Sequence, residues 1–123
     1  MLSEKEKECL TQSYMDAAYA YDRGNFHEAF VGFSKLVQSG NAMAATYLSN
    51  FYFRGEGVPR NVEKGIELLE LAITLGDSQA AFNLGALYRS GDCGVPKDPE
   101  KSRRFFLLAK ELGCKLPIEE HLR

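Results

Sequence analysis

Apolar residues recur at steps of three and four along most of the chain, and the stripes break at glycines. Leu10, Tyr14, Ala17, Ala18 and Tyr21 form a first stripe that stops at Gly24, predicting a helix over roughly 4–23. Ser3 with Glu6 has the spacing of a capping box at its start, and Asn25 with Glu28 repeats that spacing before the next helix. Phe26, Phe30, Phe33, Leu36 and Val37 give the second stripe a buried face over 26–38, closed by Gly40. A third helix runs from Asn41 to Gly55 with Ala45, Leu48, Phe51 and Tyr52 inward. A fourth is capped by Asn61 and carries Val62, Ile66, Leu69, Ala72 and Ile73 up to Gly76. The fifth is capped by Asp77, buries Ala81, Leu84, Leu87 and Tyr88, and stops at Gly91. Asp98 followed by Pro99 opens the sixth, whose inward residues are Phe105, Phe106, Leu108, Ala109 and Leu112, with Gly113 at its end. Pro117 is placed to begin a short tail helix, with Ile118 and Leu122 one turn apart. No segment reads as a strand.

These helices come in copies. Residues 77–113 lie over residues 41–76, with Cys93 as one extra residue in the later loop. Identical pairs include Ala44/Ala80, Leu48/Leu84, Tyr52/Tyr88, Gly55/Gly91, Gly57/Gly94, Val58/Val95, Pro59/Pro96, Lys64/Lys101, Ala72/Ala109 and Gly76/Gly113. A period of this size marks a helical repeat array. Small residues at Ala45 and Ser49, and at Ala81 and Gly85, allow neighbouring helices to approach closely. The expected organisation is one domain over 1–123: repeat one at about 4–40 with a shorter turn, repeat two at 41–76, repeat three at 77–113, and a C-terminal cap at 114–123. The fold class is all-α, a right-handed α-solenoid of about six antiparallel helices. Array ends leave an apolar face uncovered, which is the reason to expect the cap.

The order Ala, Leu, Gly or Ser, Tyr, Gly-x-Gly-Val, Lys, Ala and a closing Gly resembles the Sel-one-like repeat, a relative of the tetratricopeptide repeat. ALYRSGDCGVPKDPEKS and NFYFRGEGVPRNVEKG carry the resemblance, and YDRGNFHEAFVGF is similar to a plain tetratricopeptide repeat. The resemblance covers about residues 10–113. It implies a scaffold for protein–protein contact in which the first helices of successive units line a concave groove. The secreted cysteine-rich members of that family carry a regular cysteine pair in each repeat. This chain does not, so their periplasmic location and penicillin binding are not carried over. The family usually has Ala where Gly65 and Ser102 stand, which predicts looser helix contacts at those two positions.

Composition narrows the function by exclusion. With 15 basic and 17 acidic side chains the net charge is −2, without the basic excess of a nucleic-acid binder. No apolar run reaches membrane-spanning length, and the opening MLSEKEKECL is not a signal peptide. An odd cysteine count, Cys9, Cys93 and Cys114, at unduplicated positions argues for free thiols and a cytoplasmic protein. There is no GxxxxGK[ST], HExxH or CxxC, and the two histidines, His27 and His121, are far apart along the array. No cofactor or metal is expected, and no catalytic residue is assigned. The Gly55–Gly57 and Gly91–Gly94 loops follow helices and do not open directly onto one, so they read as turns and not as phosphate cradles. Cys93 reads as a tolerated loop insertion, since the neighbouring Asp92 disfavours a reactive thiolate.

The groove is the better candidate. Aligning the units on Ala18, Ser49 and Gly85 assigns Tyr19, Arg23, Asn50, Phe53, Arg54, Phe82 and Arg89 to the groove-facing side of the first helices. Tyr19, Phe53 and Phe82 are aromatic where the core does not require it, and Arg23, Arg54 and Arg89 recur before the turn. Such residues anchor interfaces, although an arginine in a last helical turn also simply favours the helix dipole. The expectation is a non-enzymatic binding module for another protein, with an acidic or extended segment in the groove. Three rivals stand beside it: an immunity or antitoxin-type protein that neutralises one enzyme, a small hydrolase, and a self-assembling structural protein.

Overall fold

The structure, a computed structural model, describes residues 3–115; the side chains of 6–11 lie outside that description. The described residues form six α-helices: α1 Glu4–Asp22, α2 Phe26–Gln38, α3 Ala42–Arg54, α4 Val62–Thr74, α5 Ser78–Ser90 and α6 Pro99–Glu111. A single 3-10 turn, Asp92–Gly94, follows α5, and no strand occurs among the described residues. The helices pack as consecutive pairs, α1 on α2, α3 on α4 and α5 on α6, and each pair rests on the next through α2 with α3 and α4 with α5. This is the expected all-α solenoid. The tail-helix residues Pro117, Ile118 and Leu122, and His121, lie outside the described residues, as does the side-chain half of the Ser3–Glu6 box.

The helix starts follow the chemistry of their caps. Asn41 Oδ1 accepts from Ala44 N at 2.9 Å, and Asn61 Oδ1 accepts from Lys64 N at 3.1 Å. Asp77 Oδ1 accepts from Gln79 N at 3.0 Å and Asp98 Oδ1 from Lys101 N at 3.1 Å. Each satisfies a backbone donor that the first helical turn leaves without a partner. The expected box at Asn25 and Glu28 does not form. Asn25 makes no side-chain cap bond, because its backbone (φ −83°, ψ 69°) closes the preceding helix, donating from its N to Ala20 O at 2.8 Å. The short first turn asks one residue to end α1 and begin α2, and the ending wins. At the other ends, Gly55 (φ 69°) and Gly91 (φ 74°) take the left-handed position and return their N–H groups to Phe51 O and Leu87 O.

The duplicated Gly-Val-Pro loops have a packing role. Val95 is buried in the cluster of Ala45, Phe53, Leu69, Ala72, Ala80, Leu84 and Tyr88, between units two and three. Val58 packs on the corresponding cluster of Phe33, Leu36, Leu48 and Phe51 between units one and two. Asn61 N donates to Tyr52 O and Asp98 N to Tyr88 O, so each loop is tied back to the helix it leaves. Cys93 is exposed and holds φ 57°, the one positive φ of a non-glycine residue among the described residues. Leu112, expected inward, is instead 40% exposed at the C-cap of α6. Its counterpart Leu75 at the end of α4 is 39% exposed, so the last turn of the second helix faces outward in both copies.

Candidate functional site

Two features of the first helices α1, α3 and α5 set the candidate surface: large side chains left exposed, and two clefts between α3 and α5. Met15 and Tyr19 on α1 are 58% and 63% exposed, and Met43 and Tyr47 on α3 are 52% and 40% exposed. Within each helix the two lie four residues apart, hence on one face. Exposed thioethers and aromatic rings at such spacing are contact groups more often than solvated ones.

The cleft near the start of the helices, about 180 Å3, is lined by Met43, Thr46, Tyr47, Asn50, Asp77, Gln79 and Asn83. Its neighbour toward the loop end, about 290 Å3, is lined by Asn50, Phe53, Leu69, Asn83, Ala86, Leu87, Ser90, Asp92 and Cys93. Asn50 and Asn83 border both, so the two form one run along the α3–α5 seam. At the start of the seam Thr46 Oγ1 donates to Asp77 Oδ2 at 2.8 Å and ties α3 to the cap of α5.

A larger recess, about 360 Å3, lies elsewhere, between α1 and α2, lined among others by Ser13, Asp16, Gly32, Lys35 and Leu36. Its size reflects position in the array. At the positions of Gly32 and Lys35, unit two has Leu68 and Leu71 and unit three Phe105 and Leu108. Leu68 and Phe105 pack on the core clusters shared with the preceding unit. Unit one, with small and charged residues there, shows the same face uncovered, and of its apolar lining Ala17 and Leu36 are buried while Val31 is exposed.

The structure separates the seven residues assigned to the groove. Tyr19 and Arg23 are exposed, with the guanidinium carbon of Arg23 5.4 Å from the Tyr19 ring centroid, a cation–π pair on the surface of α1. Asn50 lines both clefts. Phe53 borders the cleft toward the loop end but offers little surface to it. It is 5% exposed and belongs to the core cluster between units two and three, where its ring edge fills the gap left by Gly65. Arg54 keeps a side chain that is 62% exposed, with one nitrogen engaged. Its Nη1 donates to Tyr21 Oη at 3.1 Å and lies 3.6 Å from Glu56 Oε1. Tyr21 Oη in turn donates to Glu56 Oε1 at 3.1 Å, closing a three-residue network that binds α1, α3 and the turn after α3. Burial, then the Glu56 carboxylate, push the Tyr21 phenol up from its ordinary pKa, against the weaker opposing effect of Arg54. Phe82 is half-buried, edge-on to Phe106 with ring centroids 5.3 Å apart, and Arg89 is exposed and also engaged.

The looser contacts expected at Gly65 and Ser102 are tight instead. A Cβ on residue 65 would lie 2.8 Å from Cε1 and Cζ of Phe53. Ser102 Oγ donates to Gly85 O at 2.8 Å inside the α5–α6 contact. Each departure from Ala is matched by a specific neighbour. Tyr47 and Asn83 are the surface residues the sequence pattern missed, whereas Met43 falls on the groove-facing side that the unit alignment assigns. Tyr47 and Asn83 are equivalent positions in units two and three, so the repeat alignment held the signal, but their differing chemistry hid it.

Among the described residues no cluster of three His, Cys, Asp or Glu side chains is arranged to hold a metal ion. No described helix is long and apolar enough to cross a membrane.

The Sel1 repeat profile matches residues 42–77 and 78–114, the two units with the long Gly-Val-Pro loops. The chain is 30% identical over 86 residues to the ERAD-associated E3 ubiquitin-protein ligase component HRD3B of Arabidopsis thaliana, covering 68% of this chain and 14% of that protein. It is 25% identical over 104 residues to the component HRD3A of the same plant, covering 83% of this chain and 15% of that protein. The chain thus spans about a seventh of the length of these curated relatives. Among solved structures it is similar to a Sel1 repeat protein from Oxalobacter formigenes, with TM-score 0.70 at 24% identity, covering 91% of this chain and 47% of that one. It is also similar to the cysteine-rich protein B of Helicobacter pylori, with TM-score 0.63 at 20% identity, covering 92% and 93% of the two chains. These likenesses carry the fold and no more. With two matched units spanning more than half of its residues, the chain belongs to the Sel1 repeat family.

Proposed function

We propose that this chain is a non-catalytic recognition module that binds a segment of another protein along the face formed by its first helices. The observation that carries this reading is the set of exposed large side chains on α1 and α3, Met15, Tyr19, Met43 and Tyr47, beside the cleft run bordered by Asn50 and Asn83. Aromatic and thioether groups bury much area for little ordering cost, and amides at a cleft rim supply both donors and acceptors. An extended segment suits a narrow seam better than a helix does, because its backbone still has hydrogen-bonding groups to offer. Two curated relatives are named as components of a ubiquitin-protein ligase, which accords with a chain that works by holding another protein. The same reading assigns the module to the cytoplasm as an adaptor, supported by the free thiols of Cys93 and Cys114.

The arginines enter differently from the sequence expectation. Arg54 holds Tyr21 and Glu56 through Nη1 while its side chain stays 62% exposed, and Arg23 lies over the Tyr19 ring, so an acidic segment would meet arginines already oriented by neighbours. The test is affinity capture from the native cell extract with the wild type and a Tyr19→Ser/Met43→Ser variant, whose substitutions lie on exposed side chains. A stoichiometric partner present with the wild type and lost with the variant is expected. A partner captured equally by both moves the interface off this face.

A further inference from the structure

The two clefts of the α3–α5 seam carry charge of one sign. Asp77, the N-cap of α5, lines the first, and Asp92, in the turn beyond α5, lines the second; none of the residues lining either cleft is a cation. Arg23, Arg54 and Arg89 line neither cleft, and Arg60 extends over Gly94 outside them. Both oxygens of Asp77 accept hydrogen bonds, from Gln79 N at 3.0 Å and Thr46 Oγ1 at 2.8 Å. Both donors are neutral, so they orient the charge without cancelling it. Asp92 is exposed. Between the two carboxylates runs a 13-residue helix, which rises about 20 Å. The walls along that run include Met43 and Tyr47 at one end and Phe53, Leu69 and Leu87 at the other.

We infer that the seam takes an extended segment of a partner protein with basic side chains about six residues apart and apolar side chains between them. The inference rests on the reading that the first-helix face binds another protein, and it adds the sign and spacing of that partner's charges. Six extended steps of roughly 3.3–3.6 Å each cover the distance of about 20 Å from Asp77 to Asp92. Alternate side chains of an extended chain share a face. Two cations six positions apart therefore point the same way, and the residues two in from each end turn with them toward the apolar walls. An acidic segment meets two carboxylates and no counter-charge among the lining residues, and like charges brought together across an interface oppose binding.

The test uses three end-blocked heptapeptides against the full chain: Arg-Ser-Leu-Ser-Leu-Ser-Arg, and the same peptide with Ser or with Glu at both ends. Binding is followed by amide chemical shifts. At low salt the Arg peptide is expected to bind roughly fivefold or more tightly than the Ser peptide, with shifts centred on Asn50 and Asn83, and the advantage should shrink at high salt. Asp92→Asn, a change on an exposed side chain, should reduce that advantage about twofold, and Asp92→Lys should abolish it. An advantage that survives Asp92→Lys overturns the inference. Equal binding of the three peptides at the seam, or tighter binding of the Glu peptide there, also overturns it but leaves the first-helix face as the binding surface. Shifts confined to the second helices, or no binding of any peptide at millimolar concentration, overturn the inference and count against that face as well.

Discussion

Phe53 lays its ring edge against the bare backbone of Gly65, so close that a Cβ there would stand 2.8 Å from two ring atoms. The pair is complementary in volume: the gap in α4 is the space that α3 fills. Gly65→Ala gains the roughly 1 kcal/mol of helix propensity that glycine forgoes. It must also displace a ring that is 5% exposed, an overpacking cost of typically 1–3 kcal/mol. The substitution should therefore destabilise by about 1 kcal/mol net. Adding Phe53→Leu should return stability toward that of Phe53→Leu alone. Chemical denaturation of the four variants measures the coupling, and additive effects would mean that the two residues do not share this space.

The caps divide into two classes that mutation can separate. Asn61 and Asp98 each accept a backbone N–H, so replacement by Ala should cost about 1 kcal/mol apiece. Asn25 makes no such bond, and Asn25→Ala should cost less than half as much. Thermal or denaturant unfolding of the three variants decides it, and equal losses would contradict the assignment.

Stability should fall at alkaline pH. Tyr14 and Tyr21 both have phenol pKa values raised, by burial first and then by Tyr47 and Glu56 respectively. A folded-state pKa above the unfolded value of about 10 means that stability is fully present below pH 10 and is lost as pH rises above it. Tm measured from pH 8 to 11 should decline at the upper end, and Tyr21→Phe should flatten that decline. Arg54→Ala should raise the Tyr21 pKa further, since the guanidinium favours the phenolate, and titration of phenolate absorbance reads this directly.

Much of the fold was legible in the sequence because repetition supplied its own control. Gly55 and Gly91, or Asn61 and Asp98, occupy matching places, so a helix boundary inferred once was inferred twice. The surface was harder to read for the same reason. Phe53 was assigned to the groove by aligning the units on Ala18, Ser49 and Gly85, whereas the residue that lets its ring sink into the core is Gly65, on another helix. The sole hint was that Gly65 is smaller than both Ala29 and Ser102 at the equivalent positions. Arg54 looked like an open anchor because its partners, Tyr21 and Glu56, lie on a different helix and in a turn. Contacts within a unit follow from spacing; contacts that decide which polar groups stay free depend on side chains from neighbouring units.

The most direct test of the binding account is titration calorimetry of the captured partner against three folded proteins. These are the wild type, Tyr19→Ser/Met43→Ser on the first helices, and Leu75→Ser/Leu112→Ser, whose side chains are also exposed but sit at the ends of the second helices. Removing two interface anchors worth about 1–2 kcal/mol each predicts a loss of roughly 30-fold or more for the first variant, and less than threefold for the second. Full affinity in the first variant with a large loss in the second would contradict the account and assign recognition to the opposite face.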